Sequence, residues 1–237
     1  MEFTQSSPGM PGASESMNGH SAQDPKLVRS NADIKEAVRL WCRDRAAAEL
    51  KYGHISQWDT SAVTDMSELF SDEREFDDDI SQWNVGNVTN MRYMFLRASS
   101  FNQPPGQWNV GNVTDMWGMF EGAAAFNQPI EQWNVGNVTN MGGMFYNACA
   151  FNQPLGQWNV GNVTNMKDMF YNAPAFNQPL EQWNVSKVTY MQKMFHGASA
   201  FNQPLGQWNI SLMTKRTEMF TDSGMSSNNE PSCCTIA

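Results

Sequence analysis

The chain has 237 residues, a formal net charge of −9 and an isoelectric point near 4.7. An acidic chain without a basic stripe is not expected to bind nucleic acid, because that binding requires cations opposite the phosphates. The sequence shows neither an apolar run as long as a membrane span nor the basic and apolar segments of a secretory signal. These features predict an intracellular protein.

Two segments precede the regular part of the chain. Residues 1–29 are rich in Ser, Gly, Pro, Met and Asn without periodicity, which predicts a disordered tail. Residues 30–53 are predicted to form one capping helix that begins at Ser30 or Asn31 and ends before Gly53. Its apolar residues recur on one helical face: Ile34, Ala37, Val38 and Trp41. This helix is expected to cover the open end of the structure that follows.

A tryptophan then recurs every 25 residues without an insertion: Trp58, Trp83, Trp108, Trp133, Trp158, Trp183 and Trp208. Such a period predicts a leucine-rich-repeat-like solenoid of seven coils over residues 54–222. Trp108 and Val110 are two residues apart, which predicts one short β-strand per coil, parallel to its neighbours. A paired-helix repeat is the rival, but 25 residues is short for two helices and each unit contains a Pro.

The repeated motif is Trp-Asn-Val-x-Asn-Val-Thr-Asn/Asp-Met-x-x-Met-Phe followed by Phe-Asn-Gln-Pro. From residue 55 to about residue 220 it resembles the BspA-type leucine-rich-repeat family, a mycoplasma-type domain of unknown function found in bacteria and unicellular algae. The segment from Trp41 to Ile55 resembles the lead-in of algal members. The resemblance implies a right-handed solenoid that serves as a surface or interaction protein, often an adhesin. It implies no catalytic residues.

Equivalent residues of successive units are expected to form columns along the solenoid. Gln and Asn columns flank the tryptophans and should point outward, the Asn column including Asn84, Asn109, Asn134 and Asn159. These amides either stiffen the stack by hydrogen bonding from coil to coil or form a polar recognition surface. The unbroken Thr column, from Thr64 to Thr214, is expected to place a hydroxyl at a corner, where it satisfies backbone groups.

The positions that follow the methionines of the motif differ from unit to unit. They include four aromatic residues: Tyr93, Trp117, Tyr146 and Tyr171. Drift of unconstrained, solvent-facing positions is one interpretation of this variation. The other is an exposed aromatic track, because aromatic residues are enriched at protein interfaces. This track is the predicted partner-binding site.

The remaining chemistry-bearing residues predict no metal, cofactor or catalytic site. The acidic run 72–79 lacks the spaced ligands and the Gly of a calcium loop, which favours a solvated acidic loop. The cysteines have no zinc or disulfide spacing: Cys42, Cys149, Cys233 and Cys234. The histidines have no nucleophile near them in sequence: His20, His54 and His196.

Six glycosylation sequons begin at asparagines 87, 112, 137, 162, 184 and 209, and they matter only if the protein is secreted.

Residues 223–237 are predicted to be a flexible tail that ends in a lipidation signal. Cys234-Thr235-Ile236-Ala237 fits a prenylation box, and Cys233 is a candidate for palmitoylation. A chance ending is the alternative, since the tail has no polybasic segment. The end of the repeats near Trp208 is expected to be covered by the tail or to pair with a second copy as a homodimer.

These observations favour a non-enzymatic protein-interaction scaffold that binds a protein partner. It is expected in the cytoplasm or at the cytoplasmic face of a membrane, held there by its C-terminus. The alternative is a cell-surface adhesin that binds host, matrix or glycan material, which requires export. An enzymatic function is disfavoured because the sequence shows no phosphate loop, metal spacing or catalytic constellation.

Overall fold

The computed structural model describes residues 24–231. The regular elements are, in chain order, a 3₁₀ turn (Pro25–Leu27), β1 (Val28–Ser30), α1 (Ile34–Arg43), α2 (Arg45–Tyr52), a second 3₁₀ turn (Ile55–Gln57) and β2 (Asp59–Ala62). The two strands pair in parallel, with Val28 opposite Asp59. Residues 24–29 therefore pack against the first repeat, although the sequence placed them in a disordered tail; the rest of that tail lies outside the described residues.

The structure divides the predicted capping helix into two. Asp44 leaves the helical conformation (φ −147°, ψ 85°). Its carboxylate caps α2 by accepting a hydrogen bond from the Ala47 amide in the first turn of that helix. α1 begins after Asp33 rather than after Ser30 or Asn31. Gly53 ends α2 with a φ of 74°, as predicted. The predicted apolar face of α1 is confirmed, since its four residues are at most 1% exposed.

The repeats share one continuous apolar core, which confirms the predicted inward-facing residues. In the third unit the Trp108, Val110 and Met116 side chains are at most 5% exposed. Phenylalanine rings of neighbouring units lie parallel, with centroids 5.5 Å apart for Phe95 and Phe120. Each ring thus removes apolar surface of the next unit from water, so no unit buries its core alone.

Backbone hydrogen bonds join each unit to the next, but not where the sequence placed the strands. Residues 108–110 are not in a strand, and the isolated parallel bridges fall later in the unit, for example between Asp115 and Asn140. From there, four amides of each of the first six units donate to carbonyls of the following unit. In the third unit the pairs are Met116 with Asn140, Gly118 with Gly142, Phe120 with Met144 and Gly122 with Tyr146.

The segment that contains these four donors is a series of turns, because every second donor residue has left-handed backbone. The second and fourth donors of each unit have positive φ, as at Tyr93 (55°) and Arg97 (55°). The intervening amides close turns within the unit, such as that of Met119 to the Met116 carbonyl. Every second amide therefore points toward the next unit, and an extended strand is excluded in this segment.

Buried tryptophans add a side-chain link between units. The indole N–H of Trp158 donates to the Ile130 carbonyl at 3.1 Å, and that of Trp183 to the Leu155 carbonyl at 2.9 Å. Both rings are 3% exposed. A buried indole N–H requires such a partner, so tryptophan combines core packing with a fixed unit-to-unit contact.

Residues 223–231, predicted to belong to a flexible tail, pack against the sixth unit. The Ser226 amide donates to the Asn202 carboxamide at 2.9 Å, and the Leu205 amide donates to the Asn229 carbonyl at 2.9 Å. Pro231 is buried. These residues thus continue the seventh unit alongside the Asn-Gln-Pro segment of the sixth. Between residues 24 and 231, the structure contains no helix of sufficient length and apolarity to cross a membrane.

We expect Trp158→Ala to lower the free energy of unfolding by about 3–5 kcal/mol, because rigid units on both sides prevent the cavity from collapsing. Urea denaturation measures this change. The exposed neighbour provides a control, since Gln157→Ala should change stability by less than about 0.5 kcal/mol. Equal denaturation midpoints for Trp158→Ala and the parent would contradict the packing described here.

Candidate functional site

The four aromatic residues predicted as one exposed track lie in two groups and are half-buried. In the first group the Trp117 indole N–H donates to the Tyr93 hydroxyl at 2.6 Å. The Arg92 guanidinium lies over both rings, 5.2 Å and 5.6 Å from the Tyr93 and Trp117 centroids. Cation–π contacts and the hydrogen bond hold both rings in place.

Glycines of the following units explain why these rings lie flat on the surface. The Trp117 ring occupies the space that a Cβ of Gly142 would fill, and the Tyr93 ring does the same at Gly118. At these two positions, a large ring in one unit is matched by glycine in the next.

The second group is a stack of three rings. Tyr146 and Tyr171 lie 4.6 Å apart, and His196 stacks on Tyr171 at 4.7 Å. The predicted aromatic track did not include His196, although its 25-residue spacing from Tyr171 was a usable signal. A shallow cleft of about 230 Å³ borders the stack and is lined by Tyr146, Lys167, Asp168, Tyr171, Gln192 and Lys193.

Buried polar atoms accompany this stack. The Nδ1 of His196 and the Oε1 of Gln192 are buried, without a hydrogen-bond partner among the described residues. Glu121 precedes Tyr146 in the same column and lies between the two aromatic groups. Burial raises the pKa of Glu121, the Asp168 carboxylate acts in the same direction, and Arg97 opposes them. The surface thus combines fixed rings with polar groups that are incompletely satisfied.

The Asn column next to the tryptophans is exposed and makes local turns rather than a ladder. Asn84, Asn109, Asn134 and Asn159 each accept a hydrogen bond from the amide two residues later. The ladder occurs instead in the Asn-Gln-Pro segment of the motif. There the Asn177 amide and the Gln178 carboxamide both donate to the Asn152 Oδ1.

Two further columns link units through exposed side chains. The Thr114 hydroxyl donates to the Thr89 carbonyl at 3.2 Å, and the bond recurs along the column, which confirms the predicted corner hydroxyls. Sequon asparagines also donate between units, as Asn112 does to the Gly86 carbonyl at 2.6 Å. Their side chains therefore have a structural role.

The acidic run 72–79 holds the helical cap rather than forming only a solvated loop. The Asp78 carboxylate accepts hydrogen bonds from the Trp41 indole at 2.8 Å and from the Arg45 guanidinium at 2.5 Å. Asp77 accepts from the Asn102 amide and so begins the Asn ladder. A cleft of about 620 Å³ lies between this run and Cys42. Burial and the nearby Glu73 carboxylate raise the pKa of the Cys42 thiol to about 12.

The other predicted site residues lie outside these surfaces. Cys149 is exposed, and the lipidation candidates Cys233 and Cys234 lie outside the described residues. In the part of the chain that the structure covers, no group of three or more His, Cys, Asp or Glu side chains is arranged to hold a metal ion.

A comparison with known protein families assigns these repeats to one family. The family described as "Mycoplasma protein of unknown function, DUF285" matches residues 43–155 and 127–232. The chain belongs to the DUF285 family. The DUF285 matches overlap at residues 127–155 and include both aromatic groups, the Asn columns and the acidic run. No curated protein and no solved structure matches the chain.

The two Asn columns of the DUF285 repeats should differ in their effect on stability. We expect Asn152→Ala to cost about 1–3 kcal/mol, because it leaves the partly buried Asn177 amide unpaired and removes one of the two hydrogen bonds of the Gln178 carboxamide nitrogen. Asn134→Ala removes one exposed hydrogen bond to the Gly136 amide and should cost less than about 1 kcal/mol. Chemical denaturation compares the two variants, and an equal or larger loss for Asn134→Ala would refute this assignment.

Glu121 should reduce stability at neutral pH. Its pKa is raised in the folded protein, so the folded state binds its proton more readily than the unfolded chain, whose value is near 4.5. The penalty is present above the raised pKa and disappears as the pH falls through that pKa. We expect Glu121→Gln to be more stable than the parent at about pH 7 and the gain to shrink by about pH 4.

Thermal denaturation at both pH values tests this, with the exposed Glu75→Gln as a control. A gain that is constant with pH, or that appears equally in the control, would show that burial of Glu121 is not its cause.

Proposed function

We propose that this DUF285 chain is a non-enzymatic protein-interaction scaffold built on a leucine-rich-repeat-like solenoid. Its recognition surface consists of Tyr93, Trp117, Tyr146 and Tyr171, here called the aromatic surface. The observation that carries the proposal is the ring stack of Tyr146 and Tyr171, extended by His196. Rings fixed on a repeated backbone lose little conformational freedom on binding, which favours tight recognition.

The solenoid assignment is supported by the repeated contacts between units. The same backbone bonds recur at a separation of 24 residues, and the Phe and Trp rings stack at the 25-residue period of the sequence. The motif also resembles BspA-type leucine-rich repeats. Repeats of this kind present extended surfaces to partners.

The chemistry of the aromatic surface supports a protein partner. Charged groups of both signs border the rings, with Arg92 at Tyr93 and Asp168 and Lys193 at the cleft beside Tyr146. Aromatic anchors inside a charged and polar rim are typical of protein-binding sites. No paired nucleophile and base is evident among the residues of this surface, so the proposal assigns no catalytic role.

We further propose a location in the cytoplasm or at the cytoplasmic face of a membrane, where Cys234 would carry a lipid. Exposed sequons favour the alternative, a cell-surface adhesin, because Asn112 and Asn137 are accessible. The intact mass of the native protein distinguishes them: a prenyl group supports the first and added hexose the second.

The aromatic surface is tested by comparing Tyr146→Ala/Tyr171→Ala with the matched control Gln132→Ala/Gln157→Ala, which alters exposed residues away from the rings. Proteins cross-linked to each variant in native cells are quantified by mass spectrometry. We expect at least one partner of the parent and the control to fall at least about ten-fold with the Tyr variant. Unchanged partners for a Tyr variant that remains folded would refute the proposed surface.

A further inference from the structure

The two ends of the repeats differ in the backbone groups that they present. In the segment that begins at each bridge (residues 116–122 in the third unit), amides of one unit donate to carbonyls of the next unit at all six junctions. Beside this segment a bond runs the other way, as from the Thr114 amide to the Thr89 carbonyl. Within the segment, the first unit therefore has outward-facing acceptors and the last unit has outward-facing donors, and a row of donors fits a row of acceptors.

The first unit is covered by the segment that precedes it. The Asn31 side chain accepts hydrogen bonds from the Thr64 and Asp65 amides, and the Lys35 ammonium donates to the Ser67 hydroxyl. α1 places its apolar face against the core of this unit. A preceding unit, or the last unit of a second copy, therefore has no room to add at this end.

The donor residues of the last unit have the same backbone conformation as those of the other units, but no following unit supplies carbonyls for their amides. Glu218 and Asp222 have φ values of 57° and 56°, as the equivalent residues of earlier units do. Within residues 24–231, the amides of Glu218, Phe220 and Asp222 have no hydrogen-bond acceptor, although their equivalents Lys193, Phe195 and Gly197 donate to Thr217, Met219 and Thr221.

The side chains of this end are also incompletely covered. Phe220 stacks on Phe195 at 5.7 Å but is only half-buried, whereas Phe195 is fully buried between two neighbours. Leu212 and Met213 of the same unit are 63% and 81% exposed. The last unit thus combines unpaired donors with an open aromatic face, which together match the surface that each inner unit offers to its successor.

We propose that this end, formed by Glu218, Phe220 and Asp222, binds a segment of a partner polypeptide that adopts the same series of turns. The segment adds as one further row: three of its alternate main-chain carbonyls accept from the three amides, and an apolar side chain covers Phe220. Main-chain hydrogen bonds of this kind supply affinity in strand addition, and the side-chain contact supplies specificity. A second copy does not fit, because its acceptor end is covered by α1.

The probe is a peptide with acetylated and amidated ends that copies residues 190–197, since its carbonyls accept such bonds inside the protein. Amide hydrogen exchange of the whole chain is followed by NMR with and without the peptide. We expect fast exchange at residues 218, 220 and 222 in the free protein and at least about ten-fold slowing at saturating peptide. Residues 193, 195 and 197, which already donate, should be protected throughout.

A peptide of reversed sequence is the control and should produce no slowing. Phe220→Pro, which removes the central amide, should abolish binding, and Phe220→Leu, which keeps it, should retain part of the affinity. Equal slowing by the reversed peptide, or none by the copy, would overturn the proposal. So would protection of the three amides in the free protein, whether concentration-dependent through a second copy or intrinsic through the chain's own tail.

Discussion

The structure depends on one interaction, the set of backbone hydrogen bonds through which the turns of each 25-residue unit donate to the next unit. These bonds require left-handed backbone at two positions per unit, occupied for example by Tyr93 and Arg97. A non-glycine residue there is unfavourable by about 1 kcal/mol or more, so neighbouring units must supply the compensation. Stacked Phe rings and indole hydrogen bonds provide it, and both recur at the constant 25-residue period of the tryptophans.

The fixed register also determines what the surface can do. Because equivalent residues lie in adjacent rows, a side chain in one unit is supported by its equivalent in the next, as Tyr171 is by Tyr146 and His196. Where a ring requires space, the next unit provides glycine, as Gly142 does for Trp117. A surface of this DUF285 protein can therefore be built from single residues of successive repeats that contact one another.

The sequence predicted the core better than the backbone. Period and hydrophobicity located the buried residues of every unit, the apolar face of α1 and the helix end at Gly53. The strand was predicted at Trp108 and Val110 because a spacing of two is a strand signal, but inter-unit pairing requires the turns that follow. The residue type at position 93, a tyrosine, does not predict the left-handed backbone that the structure has there. The roles of Asp44 and Asp78 depend on local backbone geometry or on residues distant in sequence, which composition and periodicity do not reveal.

The most direct test of this account is measurement of NMR scalar couplings across hydrogen bonds, which connect a donor nitrogen with an acceptor carbonyl carbon. The account predicts couplings from Met116 to Asn140, from Gly118 to Gly142 and from Phe120 to Met144, with the same 24-residue offset in every inner unit. Couplings between the Trp-Asn-Val segments of neighbouring units, without those at the 24-residue offset, would contradict it.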